Sequence, residues 1–254
     1  MKTFKIAMLL VLAVVFAAPT MAQTTSTDDA ATLFLQARQA FQKQDFATAV
    51  IKWQPAAEAD NEEAQAMLAQ IYANGTQGLP QEFVKALMWN EKAAAQGNAR
   101  AHLNIGLMYR DGSGVPKDNA KALVEFTRAA EMGDMKAPRY LGLFAADAGD
   151  FSKAAIFYQQ GAARGDITSQ FYLGRAYELG KGVPQDYALA LQWYATSAER
   201  GDHVASDGMV GLASLYERGL GIAKDTTKAS ELYKQAAATG NDEAKKAMQR
   251  LGAD

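Results

Sequence analysis

Side chains suited to catalysis or metal binding are few in this chain and far apart. It has no cysteine and two histidines, His102 and His203. Without cysteine there is no thiol nucleophile, and histidines so far apart do not form the closely spaced pair that binds zinc on a helix. The serine-hydrolase motifs Gly-x-Ser-x-Gly and Ser-x-x-Lys are missing too. We therefore expect no catalytic residues, no metal site and no cofactor, and both histidines are interpreted as surface or helix-start residues.

Carboxylates are the one reactive group present in quantity, with 28 aspartates and glutamates. A pair of them can perform glycoside hydrolysis, so composition leaves an envelope hydrolase acting on peptidoglycan or a β-lactam open as the alternative function. Their placement nevertheless follows predicted helix starts and helix surfaces, where acids serve as caps. The preferred hypothesis is a protein without enzymatic activity. The net charge of −2 gives no basic footprint for nucleic acid.

Two Arg-Gly-Asp triplets, at residues 164–166 and 200–202, resemble an adhesion motif. The same Gly-Asp or Gly-Asn step recurs after residues 96, 132 and 239 without the arginine. The glycines of these five steps lie 32 to 39 residues apart, and a period in this range indicates stacked supersecondary units. The triplets are therefore interpreted as turns between units.

Each unit contains two segments with the apolar spacing of a helix. The first includes the block Leu-Gly-x-x-Tyr, seen at residues 173–177, whose glycine predicts close approach of two helices. The second repeats alanines and large aromatic residues, which we expect in the core. Between them lies the loop Gly-x-Gly-Val-Pro-x-Asp, seen at residues 112–118, where glycine can end one helix and aspartate can cap the next.

The N-terminus has the features of an export signal. Lys2 and Lys5 precede an uncharged apolar run over residues 6–18, and a small-residue site follows at 20–22; together they predict a signal peptide over residues 1–22. The run is shorter than the roughly 20 residues of a membrane span. Residues 23–29 are small and polar and are expected to form a disordered leader. The folded domain is predicted over residues 30–254, in a periplasmic or secreted protein.

These ordered blocks resemble the Sel-one-like repeat, a relative of the tetratricopeptide repeat. The resemblance covers about residues 62–241, with a degenerate first pair at 30–60 and a polar terminal helix at 241–252. It implies an all-α, right-handed α/α solenoid of about six antiparallel helix pairs plus a C-terminal capping helix. Two irregular places are expected: the unit at 135–165 lacks the glycine loop, and the unit after residue 201 gains residues near 206–208.

The resemblance also implies where a partner would bind. In such stacks the first helix of each pair lines the concave face, and the carried-over register selects a basic, partly apolar groove for a protein or peptide partner that is acidic or has a free C-terminal carboxylate. Some secreted, cysteine-rich members of the family have been linked to β-lactams, but this chain lacks their cysteines. A monomeric, non-enzymatic scaffold is expected. The predicted groove residues are Arg100, Leu103, Leu107, Arg110, Lys136, Arg139, Leu143, Phe171, Arg175 and Glu178.

Overall fold

The computed structural model describes residues 27–76 and 78–252. Within these residues the chain forms thirteen α-helices, and consecutive helices pack against each other as six pairs followed by a last helix. The first helices of the pairs are α1 (Thr27–Gln42), α3 (Glu62–Asn74), α5 (Ala99–Asp111), α7 (Ala137–Asp147), α9 (Ile167–Leu179) and α11 (Ser206–Arg218). The second helices are α2 (Phe46–Glu58), α4 (Phe83–Ala95), α6 (Asn119–Glu131), α8 (Phe151–Ala163), α10 (Tyr187–Ala198) and α12 (Thr226–Ala238), and α13 (Asp242–Leu251) closes the stack. The predicted all-α solenoid is confirmed.

The N-terminal predictions fall at the edge of the described residues. The signal peptide proposed for residues 1–22 lies outside them. Helix α1 begins at Thr27, so the last three residues of the predicted leader belong to a helix and the solenoid starts earlier than residue 30. Among the described helices, none combines the length and the apolar character that a bilayer crossing requires.

The helices begin and end where short polar residues and glycines stand in the sequence. Asp118 accepts a hydrogen bond from the backbone N–H of Lys121 at 3.0 Å and starts α6. Gly112 ends α5 in the left-handed conformation, with φ of 76°, a region that side chains disfavour. The loop between the helices of a unit is thus a helix stop followed by a helix start, as its sequence predicts.

The glycine in the first helix does permit close packing. A Cβ atom placed on Gly106 would lie 2.6 Å from Cε1 of Phe126, a fully buried residue of α6. The Phe126 ring is itself stacked on Tyr140 of the next unit, with ring centroids 5.0 Å apart and planes inclined by 15°. One ring therefore fixes the spacing within its own unit and contacts the following unit.

The two irregular units differ as the spacing predicts. Between α7 and α8 the chain turns within residues 148–150, and Asp150 caps α8 by accepting from the Lys153 N–H at 3.0 Å. Before α11, a short 3₁₀ turn at His203–Ala205 accommodates the additional residues, just ahead of the predicted place at 206–208, which forms the first turn of α11. Both differences lie in connections and leave the pairing of the helices intact.

Replacing Gly106 by alanine tests this close approach. Overpacking lowers the free energy of unfolding by typically about 1–3 kcal/mol. The higher helix propensity of alanine offsets up to ~1 kcal/mol of that loss. We expect Gly106→Ala to lower the melting temperature by about 2–4 °C per kcal/mol of net loss. In a Phe126→Leu background, where the ring is gone, the same change should be neutral or stabilising. Equal effects in both backgrounds would contradict the ring contact.

The last helix is joined to the sixth pair by a carboxylate. Glu217 of α11 accepts a hydrogen bond from the hydroxyl of Tyr233 at 3.0 Å, and from Nη2 of Arg250 in α13 at 2.8 Å. The Arg250 guanidinium is the main cause that holds the pKa of Glu217 below its usual value, with the Tyr233 hydrogen bond adding to it. Burial raises the pKa of Tyr233 to about 12, so this phenol stays protonated and acts as the donor.

Acid should loosen α13 before the other helices. Because the pKa of Glu217 is lower in the folded state, its stabilising effect is complete above the ordinary pKa of an unfolded glutamate and is lost as the pH falls through the lower folded value. We expect hydrogen exchange in α13 to accelerate selectively across that acidic range. In Glu217→Gln the exchange of α13 should be faster at neutral pH and change less on acidification. An unchanged pH profile in that variant would argue against this ion pair.

Candidate functional site

Three pockets follow one another between the first helices of successive units. The first pocket, about 520 Å³, lies between α3 and α5. The second, about 390 Å³, lies between α5 and α7, and the third, about 270 Å³, between α7 and α9. Asp111 lines both the first and the second, and Leu143 and Asp147 line both the second and the third. Each pocket therefore adjoins the next, and we call the three together the inner groove.

Five of the ten predicted residues line this groove. Arg100 and Leu107 line the first pocket, Arg110 lines the second, and Arg175 lines the third, while Leu143 is shared by the last two. Leu107, Leu143 and Arg175 hold the same position in three successive repeats. A side chain at this position of each first helix therefore contributes to the inner groove.

Two of the predicted apolar residues contribute to packing instead. Leu103 is 2% exposed and belongs to a core cluster with Phe126 and Leu141, so its assignment as an accessible groove residue is wrong. The register carried over from the family placed it outward, whereas its helix turns it toward α6 and α7. Phe171 is half-buried, packs on the last core cluster and lies 5.8 Å from the Tyr194 ring, centroid to centroid.

Glu178 is occupied by partners within the protein. It accepts a hydrogen bond from the Tyr194 hydroxyl at 2.7 Å and pairs with Arg218 of α11 at 2.8 Å. Burial raises the pKa of Tyr194, and the hydrogen bond to Glu178 raises it further, so the phenol remains a donor. Glu178 thus joins α9, α10 and α11, in the same way that Glu217 joins the next three helices.

The Gly-Asp and Gly-Asn steps have a second role besides capping. Asp134 caps α7 through the N–H groups of Lys136 and Ala137, at 2.8 and 3.0 Å, and also lies 3.1 Å from Nε of Arg100 in the preceding first helix. Asp166 caps α9 and lies 3.3 Å from Nη1 of Arg139. Both aspartates are buried, and a buried carboxylate requires a cation and hydrogen-bond donors. Each cap residue therefore also links two units.

Where the cap is asparagine, the preceding first helix supplies an acid. Asn98 donates from Nδ2 to Glu62 at 2.7 Å, and Asn241 donates to Asp207 at 2.9 Å. The amide of an asparagine can donate a hydrogen bond to that acid, whereas the carboxylate of an aspartate at the cap position would repel the acid. Aspartate thus pairs with arginine and asparagine with an acid. The exception is Asp202, which caps the 3₁₀ turn and contacts the nearby Arg200.

This pairing changes the predicted character of the groove. Arg100 and Arg139 are bound to cap aspartates, and Arg139 has a side chain only 14% exposed. Arg110 pairs with Asp111 at 2.7 Å and stacks over the Tyr140 ring. Three of the five predicted basic residues are therefore matched to internal carboxylates. Among the described residues, no ion pair involves Lys136 or Arg175. The groove is therefore less basic than the sequence predicts.

Sequence reasoning missed the most polar part of the groove. Asn90 and Asn104 line the first pocket, with Gln70, Asn74 and Asn98. Asn90 occupies the eighth position of α4, where the other second helices have an aromatic residue. That departure is visible in the aligned repeats, but the neighbouring Trp89 supplies an aromatic residue one position earlier and so conceals it.

The histidines form no catalytic arrangement. Nδ1 of His102 lies 2.6 Å from Oε2 of Glu125, and both side chains are 14% exposed, so this histidine joins α5 to α6 and is less exposed than predicted. His203 is an exposed residue of the 3₁₀ turn. Over the described part of the chain, no group of three histidines, cysteines or acids could hold a metal ion.

The repeats match a known family model. Residues 62–98, 99–134, 140–166, 167–202 and 206–241 each match the Sel1 repeat. The chain belongs to the Sel1 repeat family. Members of this family are in general protein-interaction scaffolds. The matched segments begin at the first helices, and most of them end at the cap residue that links to the next unit. No match was found among curated proteins.

Solved structures agree with this assignment. A protective antigen of uropathogenic Escherichia coli with an SLR fold is 33% identical over 85% of this chain, with a TM-score of 0.73. The match spans only 47% of that protein, so this chain corresponds to about half of it. A Sel1 repeat protein from Oxalobacter formigenes is 28% identical, with a TM-score of 0.74 and 84% of each chain covered. An immunity protein from Pseudomonas aeruginosa, 19% identical with a TM-score of 0.55, shares the fold.

A charge exchange tests the link between units. Asn98→Asp keeps the helix cap but places a carboxylate against Glu62. We expect a loss of about 0.5–1 kcal/mol in unfolding free energy, as for exposed like-charge contacts, and a smaller loss at high salt. The double variant Glu62→Arg with Asn98→Asp creates an arginine–aspartate link of the kind seen between Arg100 and Asp134, and should recover the loss. If urea titrations show no recovery, the pairing rule does not hold.

Proposed function

We propose that this Sel1 repeat protein is a non-enzymatic scaffold that holds an extended segment of a partner protein along the inner groove. The observation that supports the proposal most directly is that the three pockets adjoin one another in a row, with residues such as Asp111 and Leu143 shared between neighbours. A row of adjoining pockets across four first helices suits an elongated ligand, and an isolated cavity would suit a small molecule better.

The chemistry of the groove suits a partner of mixed character. The third pocket is lined by Leu143, Leu179 and Tyr172 together with two cations, Arg175 and Lys181, and one carboxylate, Asp147. Most polar residues of the first pocket are uncharged amides, and the second pocket contains both an ion pair and Leu143. An acidic group of the partner would therefore be bound at the third pocket, beside Arg175, and the rest of the segment need not be acidic.

The place of action is proposed from the N-terminal sequence. The charged start, the apolar run over residues 6–18 and the small-residue site at 20–22 are typical of export. We therefore place the scaffold in the bacterial periplasm or outside the cell, acting as a monomer. Its role there would be to bring a bound segment to other envelope or secreted proteins.

Two paired substitutions test the groove. Leu143→Glu with Arg175→Glu places two acids in the second and third pockets and changes the net charge by −3, whereas Lys153→Glu with Ile156→Glu makes the same change at two exposed residues of the second helix α8. We expect the groove variant to lose about tenfold or more of partner recovery from an envelope extract, since an unpaired charge that the partner would bury costs more than about 1.4 kcal/mol. The control variant should recover the partner as the wild type does.

A photo-reactive amino acid at position 175 should also crosslink the partner, and one at position 156 should not. Circular dichroism melting of each variant identifies any loss caused by unfolding. If the groove variant remains folded and recovers the partner, or if the crosslink forms only at position 156, the inner groove is not the binding surface.

A further inference from the structure

The eighth position of the second helix is aromatic in every unit but one. It packs against the first helix of the same unit, as Phe126 does on Gly106 and Tyr158 on Gly142. In α4 the residue at this position is Asn90, which is 1% exposed. The aromatic residues at the equivalent position are Trp53, Phe126, Tyr158, Tyr194 and Tyr233.

A second residue has changed together with Asn90. Phe126 is stacked on Tyr140 and Tyr158 on Tyr172, each pair with ring centroids 5.0 Å apart. The residue of α5 equivalent to Tyr140 and Tyr172 is Asn104. Asn104 donates from Nδ2 to Oδ1 of Asn90 at 3.1 Å. At this junction a hydrogen-bonded pair of amides thus occupies the place that a stacked pair of rings takes at the next two junctions.

The replacement opens the first pocket and makes its floor polar. Asn90 is held in place because its Nδ2 also donates to the carbonyl of Ala86 at 2.9 Å, which orients Oδ1 toward Asn104. Asn104 is half-buried and lines the pocket, and an amide has further donor and acceptor capacity beyond the single bond to Asn90. The pocket is larger than the second and third pockets, where rings remain.

The lining restricts what the pocket can accept. Gln70 and Asn74 add two more amides, Met67 and Leu107 supply apolar contact, and the one carboxylate, Asp111, is paired with Arg110. Amides both donate and accept hydrogen bonds, so a ligand group that does the same can be satisfied on both sides. A carboxylate only accepts, and moving its charge into this site would be costly without a cation of its own. Arg100, at the rim, is already bound to Asp134.

We infer that the first pocket binds an uncharged amide side chain, asparagine or glutamine, of the segment held in the inner groove. The inference rests on the proposed function and specifies one residue of the partner. Asn104 is the residue that contacts the ligand amide, and Asn90 positions it. The partner segment then has two anchors, an amide at the first pocket and an acidic group at the third.

The matched variant restores the arrangement of the other units. Asn90→Phe with Asn104→Tyr recreates the Phe126–Tyr140 stack and fills the pocket. The new ring would face Ala69 of α3. An alanine is compatible with a ring at this place, because the sixth pair has the fully buried Ala213 at the position of Ala69 and Tyr233 at the position of Asn90. We expect this variant to fold and to melt at the same or a higher temperature. Gln159→Tyr, an aromatic added at an exposed position of α8, is the control.

Nuclear magnetic resonance of the ¹⁵N-labelled protein supplies the test. The probes are N-acetyl-glutamine-N-methylamide, its glutamate and methionine counterparts, and N-acetylglucosamine. The glutamine probe should shift the side-chain signals of Asn90 and Asn104 in a saturable way. The other two peptide probes should bind about tenfold more weakly, as expected when a buried polar group is left unpaired. The shifts should vanish in the double variant and persist in Gln159→Tyr.

Several results would overturn the inference. These are equal binding of the methionine or glutamate probe, tighter binding of the sugar, no saturable shift with any probe, or shifts that survive in the folded double variant. Failure here is separable from failure of the scaffold proposal. Partner recovery that depends on Leu143 and Arg175 but not on Asn90 and Asn104 would keep the inner groove as the binding surface and remove only the amide site.

Discussion

The structure depends on the residue that caps each first helix, because that residue performs two tasks at once. Its side chain satisfies the backbone N–H groups that would otherwise lack partners at the helix start. In four of the five repeats it also binds a side chain from the preceding first helix, as Asp134 does with Arg100. Local helix initiation and the stacking of units are thus governed by a single position, which explains why the Gly-Asp or Gly-Asn step is the most regular feature of the sequence.

Within a unit the corresponding constraint is the ring at the eighth position of the second helix. Phe126, Tyr158 and Tyr194 lie so close to their first helices that a Cβ atom on the facing glycine would come within about 3 Å of the ring. The same rings, or those stacked on them, exclude any cavity of comparable size at those junctions. The largest of the three groove pockets lies where this ring is absent, at Asn90. The departure from the repeat and the largest groove pocket therefore occur at the same place.

Much of the fold could be predicted because its signals are local. The caps at Asp118 and Asp166, the left-handed Gly112 and the irregular connection before α11 follow from residues within a few positions of one another. The charge of the inner groove was harder to predict, because it depends on ion pairs between residues that are far apart in the sequence. Arg139 and Asp166, for example, are 27 residues apart, and their pairing neutralises charges that the sequence alone shows as unpaired. Leu103 was assigned to the wrong face of α5, because the register carried over from the family does not specify how far each helix is rotated about its own axis. Asn90 was discernible in the alignment of the second helices, but Trp89 beside it concealed the change.

The cap links also bear on how such an array can grow. Glu62 and Asn98 both fall inside the segment 62–98, and Arg100 and Asp134 both fall inside 99–134. A gene duplication or deletion that is cut directly after a cap residue therefore moves both partners of a charge pair together, and the charges at the new junction stay paired. The facing pair Phe126 and Tyr140 lies on either side of such a cut and has to be matched separately. A cut a few residues earlier would separate the charged partners and could set Asp134 against Glu62. The boundary of the inherited module is thus defined by electrostatics as well as by helix geometry, and repeat number can vary while the linked cap pairs stay intact.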